Sequence, residues 1–309
     1  SSIYYNYSDP IDGINNDTDL LFGDSLTDDH QGWDVGDWDN DPTSTTSSHG
    51  LRVAGIIGAT SNNSLGISGL VPNTRILHVK ASPDSNPNSL TAGYTGLVYA
   101  VNKGCKIINL SWGSTNDPGP IFRQLIQDLI EDHDVMIVAA AGNSRDDTWY
   151  YPASYPGVIS VSSVRADSLK QNAAVYNHHI DFNAVGANSK TLNLGSTGSY
   201  VNEYGTSAAA PVISSALALL KAEFPSYSSE QIVQQLKVTA FKNDTVGTNT
   251  AYEYRLGKML DMKSALEDSN LPGYKVTANN HPDTILIANY SIPVNFVFDI
   301  TNVLTAGNS

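Results

Sequence analysis

The sequence predicts an α/β fold in which a parallel sheet is flanked by helices on both faces, followed by a small β-rich C-terminal extension. Three observations predict it. From residue 49 onward, short apolar runs alternate with longer helical stretches, which is the order of repeated βαβ units. Several short runs are apolar throughout, as strands covered on both faces are. After residue 270, strand-like runs continue without helical stretches between them.

The predicted elements follow a turn-rich N-terminal stretch. Residues 1–48 are dominated by Asp, Asn, Ser, Thr and Gly, which is the composition of loops. Beyond it, helices are predicted at 51–59, 89–104, 122–133, 208–224 and 228–240, and strands at 75–81, 106–113, 135–143 and 158–164. The helix at 89–104 ends on Gly104, a residue typical of helix C-termini.

The change of pattern near residue 270 places a domain boundary there. Residues 1–269 form the α/β domain, and residues 270–309 form a β-rich extension or the start of a further domain. Strand-like runs in that extension lie at 275–280, 284–290 and 293–300.

The composition is that of an acidic globular chain of 309 residues. Hydrophobic residues make up 40% and charged residues 16%, which excludes a disordered polymer. With 31 acidic against 17 basic residues, the formal net charge of −14 argues against a nucleic-acid partner. No apolar run is long enough for a membrane-spanning helix. The single cysteine, Cys105, excludes an intrachain disulfide and is predicted to be a small core residue.

Two short segments, each opening a predicted helix, carry candidate catalytic residues. His49 begins the segment HGLRVAG, and Ser207 lies in the segment GTSAAAP. A serine hydroxyl becomes an effective nucleophile when a neighbouring imidazole accepts its proton. A serine at a helix N-terminus also gains from the free backbone N–H groups there. Either residue alone is more often structural, so the prediction depends on finding both.

These segments resemble the His and Ser signatures of the subtilase family. Residues 138–164 resemble the family's oxyanion-hole strand and the loop after it, and residues 256–266 resemble its closing helix. The motifs occur in the family's order, and the resemblance extends from about residue 12 to residue 268. It implies a subtilisin-like fold and a serine endopeptidase that hydrolyses protein or peptide substrates through an acyl-enzyme.

The resemblance also implies a role for each matching residue. Ser207 is the implied nucleophile, His49 the general base, and Asn143 the side-chain donor of the oxyanion hole. The implied substrate-binding segment, which pairs with the substrate backbone, consists of Ser111, Trp112 and Gly113.

The aspartate of the implied triad is less clearly placed. In the family it ends a buried strand and is followed by one residue and a glycine. Asp12 precedes Gly13 directly, whereas Asp9 follows a polar, tyrosine-rich run, so Asp12, Asp9 and an absent aspartate all remain open. The family also has a longer stretch before this strand, which implies an N-terminal propeptide or a missing N-terminal segment. Without the aspartate, the alternative is a catalytically impaired pseudoprotease that binds a peptide or a partner.

A structural calcium ion is a further implication of the resemblance. The loop 61–67 is similar to a family loop whose oxygen atoms bind calcium, and such ligands suit that ion. The implied ligands are Asp19, Ser61, Asn63, Leu65 and Ile67. The acidic run of Asp34, Asp37, Asp39 and Asp41 is more typical of a solvated loop, although kexin-like subtilases carry a similar acidic stretch with a bound cation.

The resemblance has some kexin-like features, namely Arg52 and the segment that follows Ser111–Gly113. In that subgroup an acidic residue selects basic side chains, but the corresponding position here is Asn116, with Asp117 one place later. Tyr150 and Tyr151 are expected to crowd the floor of the specificity pocket. The resemblance further implies a secreted, extracellular protein whose signal and propeptide are not in this chain.

Overall fold

The computed structural model describes residues 2–5, 32–44, 46–195, 198–242, 255–268, 275–279 and 297–301. Asp9, Asp12, Asp19 and the predicted strand at 284–290 lie outside these residues. The chain divides into two compact units, Ser1–Asp268 and Ser269–Ser309. Among the described residues, no helix is long and apolar enough to cross a membrane.

The first unit carries all the described helices and most of the strands. Its helices are His49–Gly58 (α1), Gly93–Asn102 (α2), Pro120–His133 (α3), Thr206–Glu223 (α4), Ser229–Thr239 (α5) and Met262–Glu267 (α6). Its strands are Ser2–Tyr5 (β1), Trp33–Asp34 (β2), Arg75–Lys80 (β3), Ile107–Leu110 (β4), Met136–Ala140 (β5), Ile159–Val164 (β6), Phe182–Val185 (β7), Ser189–Leu192 (β8), Tyr200–Glu203 (β9), Phe241–Lys242 (β10) and Lys258–Met259 (β11). The second unit contains Lys275–Asn279 (β12) and Val297–Thr301 (β13), which pair antiparallel.

Nine strands form one sheet in the order β10-β11-β7-β6-β5-β4-β1-β3-β2. The four central strands, β4 to β7, are parallel to one another, and β11 continues that direction beside β7. The prediction of a parallel sheet is therefore confirmed for its centre. β1 runs antiparallel to both neighbours and β10 runs antiparallel to β11, so the complete sheet is mixed.

Alternate residues of the central strands point to opposite faces of the sheet, and helices cover both. Ile108 of β4 belongs to a buried cluster with residues of α2 and α3, whereas its neighbour Ile107 belongs to a cluster with residues of α4 and α5. In β5, Ile137 faces the first cluster and Val138 the second. This two-residue alternation explains why the central strands are apolar throughout.

The closing segment differs from the predicted single helix at 256–266. Only Met262–Glu267 is helical, and Lys258–Met259 forms an edge strand beside β7. The reason lies in the helix start: the carboxylate of Asp261 accepts a hydrogen bond from the backbone N–H of Ser264 at 3.0 Å. An N-cap of this kind fixes where a helix begins and leaves the preceding residues free to join the sheet.

Candidate active site

The candidate site lies at the carboxyl edge of the central strands. β4 ends at Leu110, immediately before Ser111, and β5 ends at Ala140, shortly before Asn143. Leu110 is paired with Ala139 in the parallel register, so both segments leave the sheet at the same edge. Loops at this edge of an open α/β sheet are where such folds place their chemistry.

Ser207 is the second residue of α4 and is joined to Ser111 by two hydrogen bonds. The Ser207 hydroxyl donates to the Ser111 carbonyl at 3.1 Å, and the Ser111 hydroxyl donates to the Ser207 carbonyl at 2.9 Å. Asn109 in turn donates its side-chain amide to the Ser111 hydroxyl at 2.9 Å. The candidate nucleophile is therefore fixed against the segment that follows β4.

Asn143 is oriented by the residue that precedes the candidate nucleophile. Its Oδ1 atom accepts a hydrogen bond from the backbone N–H of Thr206 at 3.0 Å. Among the described residues, the Asn143 Nδ2 group has no hydrogen-bond partner, and the side chain is exposed. The amide is thus held by its oxygen while its N–H groups remain available to a ligand.

Thr206 is a residue of the candidate site that the sequence reasoning missed. It is fully buried, and its hydroxyl accepts a hydrogen bond from the backbone N–H of Gly142 at 3.1 Å. Gly205, with φ +100°, lets the chain pass close to Asn143, since a Cβ there would fall 2.9 Å from Asn143 Oδ1. The sequence signal was the dipeptide Gly-Thr directly before the serine.

His49 is the first residue of α1, and α1 packs against α4. His49, Ser111 and Trp112 line one cleft of about 570 Å³. The imidazole is exposed on one side, while removal from water by the protein on its other side lowers the pKa of His49. Within the described residues, no hydrogen bond joins His49 to Ser207 or to a carboxylate.

The slot between the segments after β4 and β5 is filled by the ring of Tyr150. A Cβ at Gly142 would fall 2.3 Å from Tyr150 Cδ2, and one at Gly113 would fall 3.5 Å from Tyr150 Cβ. The neighbouring residue, Tyr151, exchanges backbone hydrogen bonds with Ser114 at 2.8 and 2.9 Å. Tyr150 therefore lies between two stretches of backbone that converge on the candidate site.

Asp117 lies one place after the position expected for a kexin-like acidic residue, and its carboxylate already has hydrogen-bond and ion-pair partners. Its carboxylate accepts hydrogen bonds from the Tyr155 hydroxyl and from the backbone N–H of Gly119, and it pairs with Arg123 at 3.3 Å. These three partners lower the pKa of Asp117, with the Tyr155 hydroxyl the largest contributor. The carboxylate is committed to the local loop.

Residues 61–67 form an irregular loop after α1, with Asn62 at φ +57° and Ser64 at φ +60°. The Asn63 side-chain oxygen accepts a hydrogen bond from the Leu65 backbone N–H at 3.0 Å. No described residue donates a hydrogen bond to the carbonyl oxygens of residues 61, 65 and 67. These three carbonyl oxygens are therefore available to a cation, and carbonyl and amide oxygens are ligands that fit calcium.

The prediction of a solvated loop is wrong for the first residue of the acidic run. Asp34 is only 1% exposed, and its carboxylate binds the ammonium group of Lys80. Lys80 also pairs with Asp37 at 3.2 Å and with Asp84 at 2.9 Å. Burial alone would lower the pKa of Lys80, but these carboxylates raise it above its ordinary value. The three carboxylates lie within 4.8 Å of one another and share this one cation.

The fold and the site define an α/β protein with a candidate serine nucleophile at a helix start on the carboxyl edge of a parallel sheet. The chain belongs to the subtilase family, whose model (peptidase S8) matches residues 11–264.

Curated relatives include several proteases. A thermostable alkaline protease of Halalkalibacterium halodurans is 34% identical over 192 residues, covering 62% of this chain and 52% of that protein. Subtilisin Savinase of Lederbergia lenta is 35% identical over 198 residues, covering 64% and 72%. Thermitase of Thermoactinomyces vulgaris is 33% identical over 217 residues, covering 70% and 75%. The chain spans about half the length of the first of these relatives.

Solved structures share the fold. The prenylagaramide maturation protease PagA has a TM-score of 0.64 at 24% identity, covering 72% of this chain and 82% of that one. A protease of Pseudoalteromonas arctica has a TM-score of 0.62 at 26% identity, covering 72% and 71%. These likenesses confirm the predicted subtilisin-like fold class.

Proposed function

We propose that this protein is a serine endopeptidase that hydrolyses peptide bonds through an acyl-enzyme intermediate. The observation that carries the proposal is the pairing of Ser207 with Asn143 through Thr206. The same turn that starts α4 presents the Ser207 hydroxyl and fixes the oxygen of Asn143, leaving the Asn143 N–H groups as donors. A nucleophile beside a preorganised donor is the arrangement that acyl transfer requires.

In the first half of the reaction, His49 accepts the proton of the Ser207 hydroxyl while Ser207 Oγ attacks the scissile carbonyl carbon. To do so, the hydroxyl must leave the Ser111 carbonyl, which a rotation about χ1 permits. The resulting oxyanion accepts hydrogen bonds from Asn143 Nδ2 and from the Ser207 backbone N–H. That N–H lies in the first turn of α4, where it has no partner within the helix.

In the second half, the tetrahedral intermediate collapses and expels the amine, to which His49 gives its proton. A water molecule, activated by His49, then attacks the acyl-enzyme and releases the carboxylic acid together with free Ser207. An aspartate that accepts a hydrogen bond from His49 would fix the tautomer of the imidazole. We assign that role to Asp12, with Asp9 as the alternative.

The substrate is proposed to bind in an extended conformation beside Ser111–Gly113, where its backbone would pair with this segment as an added strand. Because Tyr150 fills the slot between the two backbone segments, the residue before the scissile bond is expected to be small. Asp117 does not support a preference for a basic substrate residue before the scissile bond, because its carboxylate is bound by Tyr155, Gly119 and Arg123.

Calcium is proposed as a structural ion on the loop 61–67. The Asn63 side chain, the carbonyl oxygens of Ser61, Leu65 and Ile67, and the Asp19 carboxylate would hold it. Bound there, the ion would fix the loop that follows the His49 helix and take no part in proton transfer. We also propose that the protein is secreted and is made with an N-terminal propeptide.

The test is labelling with a fluorophosphonate, with and without calcium, followed by mapping of the adduct by mass spectrometry. We expect an adduct on Ser207 that is absent in Ser207→Ala and strongly reduced in His49→Ala. The exposed serine variant Ser85→Ala serves as a matched control and should label like the parent. If folded, calcium-loaded protein gives no adduct, the endopeptidase proposal is wrong and the pseudoprotease alternative takes its place.

A further inference from the structure

An ion pair links the helix that begins with His49 to the strand that leads to Ser207. Arg52 lies one turn after His49 on α1, and Glu203 is the last residue of β9, four residues before Ser207. Arg52 Nη1 lies 3.1 Å from Glu203 Oε2, and Arg52 Nη2 donates to Asn193 Oδ1 at 3.3 Å. The Arg52 side chain is 30% exposed and that of Glu203 13%, so solvent screens the pair only in part.

The ion pair belongs to a close contact between α1 and the antiparallel hairpin β8–β9. The Thr191 hydroxyl donates to the Arg52 carbonyl at 2.5 Å. A Cβ at Gly55 would fall 2.5 Å from Thr191 Oγ1, so the helix lies directly on the hairpin at that point. Because β9 continues into the turn before α4, the position of this hairpin relative to α1 also sets the position of Ser207 relative to His49.

We propose that Arg52 and Glu203 form a positioning pair, which holds the His49 helix against the hairpin leading to Ser207 and sets the electrostatic surroundings of the imidazole. The inference rests on the proposed endopeptidase function, since it gives the pair a role in that reaction. Neither residue contacts the reacting atoms; each acts through His49 and Ser207.

The two charges act on His49 in opposite directions. Removal from water is the largest effect and lowers the pKa of His49; Glu203 raises the pKa because its carboxylate favours the imidazolium, and Arg52 lowers it. The effect of Glu203 is the larger of the two, so the pair together favours the imidazolium. Removing one member alone should shift the titration of His49, with a sign that depends on which member is removed.

The other charged residues near His49 are the same in the parent protein and in variants of Arg52 or Glu203. β3 contributes His78 and Lys80 to the cleft that His49 lines, and β8 carries the exposed Lys190. Burial lowers the pKa of His78, and Lys80 is bound by three carboxylates. The candidate aspartates are the same in every variant, so differences between variants report the Arg52–Glu203 pair.

The experiment measures the titration of His49 by NMR in the Ser207→Ala protein, where no turnover is needed. We expect the midpoint to fall in Glu203→Gln, to rise in Arg52→Met and to stay at the parent value in Arg52→Lys, which keeps the charge. The exposed pair on α6, Lys263 with Glu267, provides matched controls: Lys263→Met and Glu267→Gln should leave the midpoint unchanged.

Activity provides the second readout, measured with Ser207 restored. In Glu203→Gln we expect kcat/KM to fall about tenfold, because a small displacement of base from nucleophile is costly, with the acid limb of the pH profile moved to lower pH. Midpoints that do not move, or that move in the same direction in both variants, would overturn the positioning pair. Absence of fluorophosphonate labelling in the parent protein would instead overturn the proposed function, and the two failures are therefore distinguishable.

Discussion

Thr206 joins the two halves of the candidate site through its backbone and its side chain. Its N–H donates to Asn143, and its hydroxyl accepts from Gly142, so one buried residue orients the proposed oxyanion donor and the backbone just before it. The donor is therefore fixed before any substrate binds. Preorganisation of this kind is the source of the donor's contribution to rate.

The first prediction concerns that donor. Replacing Asn143 by Ala should lower kcat by about 10²–10³, because the oxyanion loses one hydrogen bond that forms in the transition state. KM should change little, since the ground-state carbonyl depends less on this contact. Steady-state kinetics on a chromogenic peptide would measure both constants. Asn172→Ala, at an exposed site, is the control, and an equal loss of kcat there would contradict the assignment.

The second prediction concerns the ring of Tyr150. Tyr150→Gly should open the slot beside Gly142 and raise kcat/KM for a peptide with phenylalanine before the scissile bond, relative to alanine, by about 10–200-fold. Two chromogenic peptides that differ only in that residue would give the ratio. Tyr150→Phe keeps the ring and should keep the parent ratio. An unchanged ratio in Tyr150→Gly would mean that the ring does not limit the pocket.

Among individual residues, the sequence indicates those that carry the proposed chemistry and misses those that hold them in place. Ser207, His49 and Asn143 stand in short motifs, whereas Glu203 lies 151 residues from its partner Arg52. The acidic neighbours of Asp34 predict a solvated loop, yet Asp34 is buried. Its burial depends on Lys80, which lies 46 residues away. Contacts of such separation leave no local pattern in a single sequence.

Among the elements, most of those with apolar faces were predicted, although the buried strand β7 was not. The central strands β4, β5 and β6 and the helices α1, α3, α4 and α5 occur close to their predicted positions. The hairpin β8–β9 was not predicted, because its strands read SKTL and YVNE and have little apolar character. Packing against α1 stabilises these strands despite their low apolar content, because tertiary contacts override strand propensity.

The third prediction concerns the loop after α1. Calcium at about 100 times its Kd should raise the unfolding midpoint by about 5–10 °C, because binding to the folded chain stabilises it by about 2.7 kcal/mol. Asn63→Ala should remove most of this calcium-dependent gain, as measured by thermal unfolding with calcium and with a chelator. Asn172→Ala should keep the gain. A gain that survives in Asn63→Ala would place the ion elsewhere.

For the molecule as a whole, the two compact units carry different parts of the sequence pattern. All the described helices and every candidate site residue belong to residues 1–268, and the buried cluster around α4 extends to Ala265 of α6. The sequence predicted the subtilisin-like class because the motifs follow one another in order. It did not predict β1, since this four-residue strand lies within a stretch whose composition is typical of loops.

The fourth prediction follows from that division. A chain ending at Asp268 should keep fluorophosphonate labelling of Ser207 and unfold within about 2 °C of the full chain, because α6 already closes its core. Labelling kinetics and calorimetry on both chains would measure this. Loss of labelling in a folded, truncated chain would show that residues 269–309 contribute to the site.

Lys80 has a consequence for how this protein responds to its surroundings. The cation that pairs with Asp34, Asp37 and Asp84 is covalently part of the chain, so it cannot dissociate, be stripped by a chelator or be exchanged for a metal. A protein that binds calcium on the loop after α1 would thus carry two cation-dependent loops of different kinds. The first would follow the calcium concentration of the medium, whereas the second keeps its cation until the polypeptide itself unfolds.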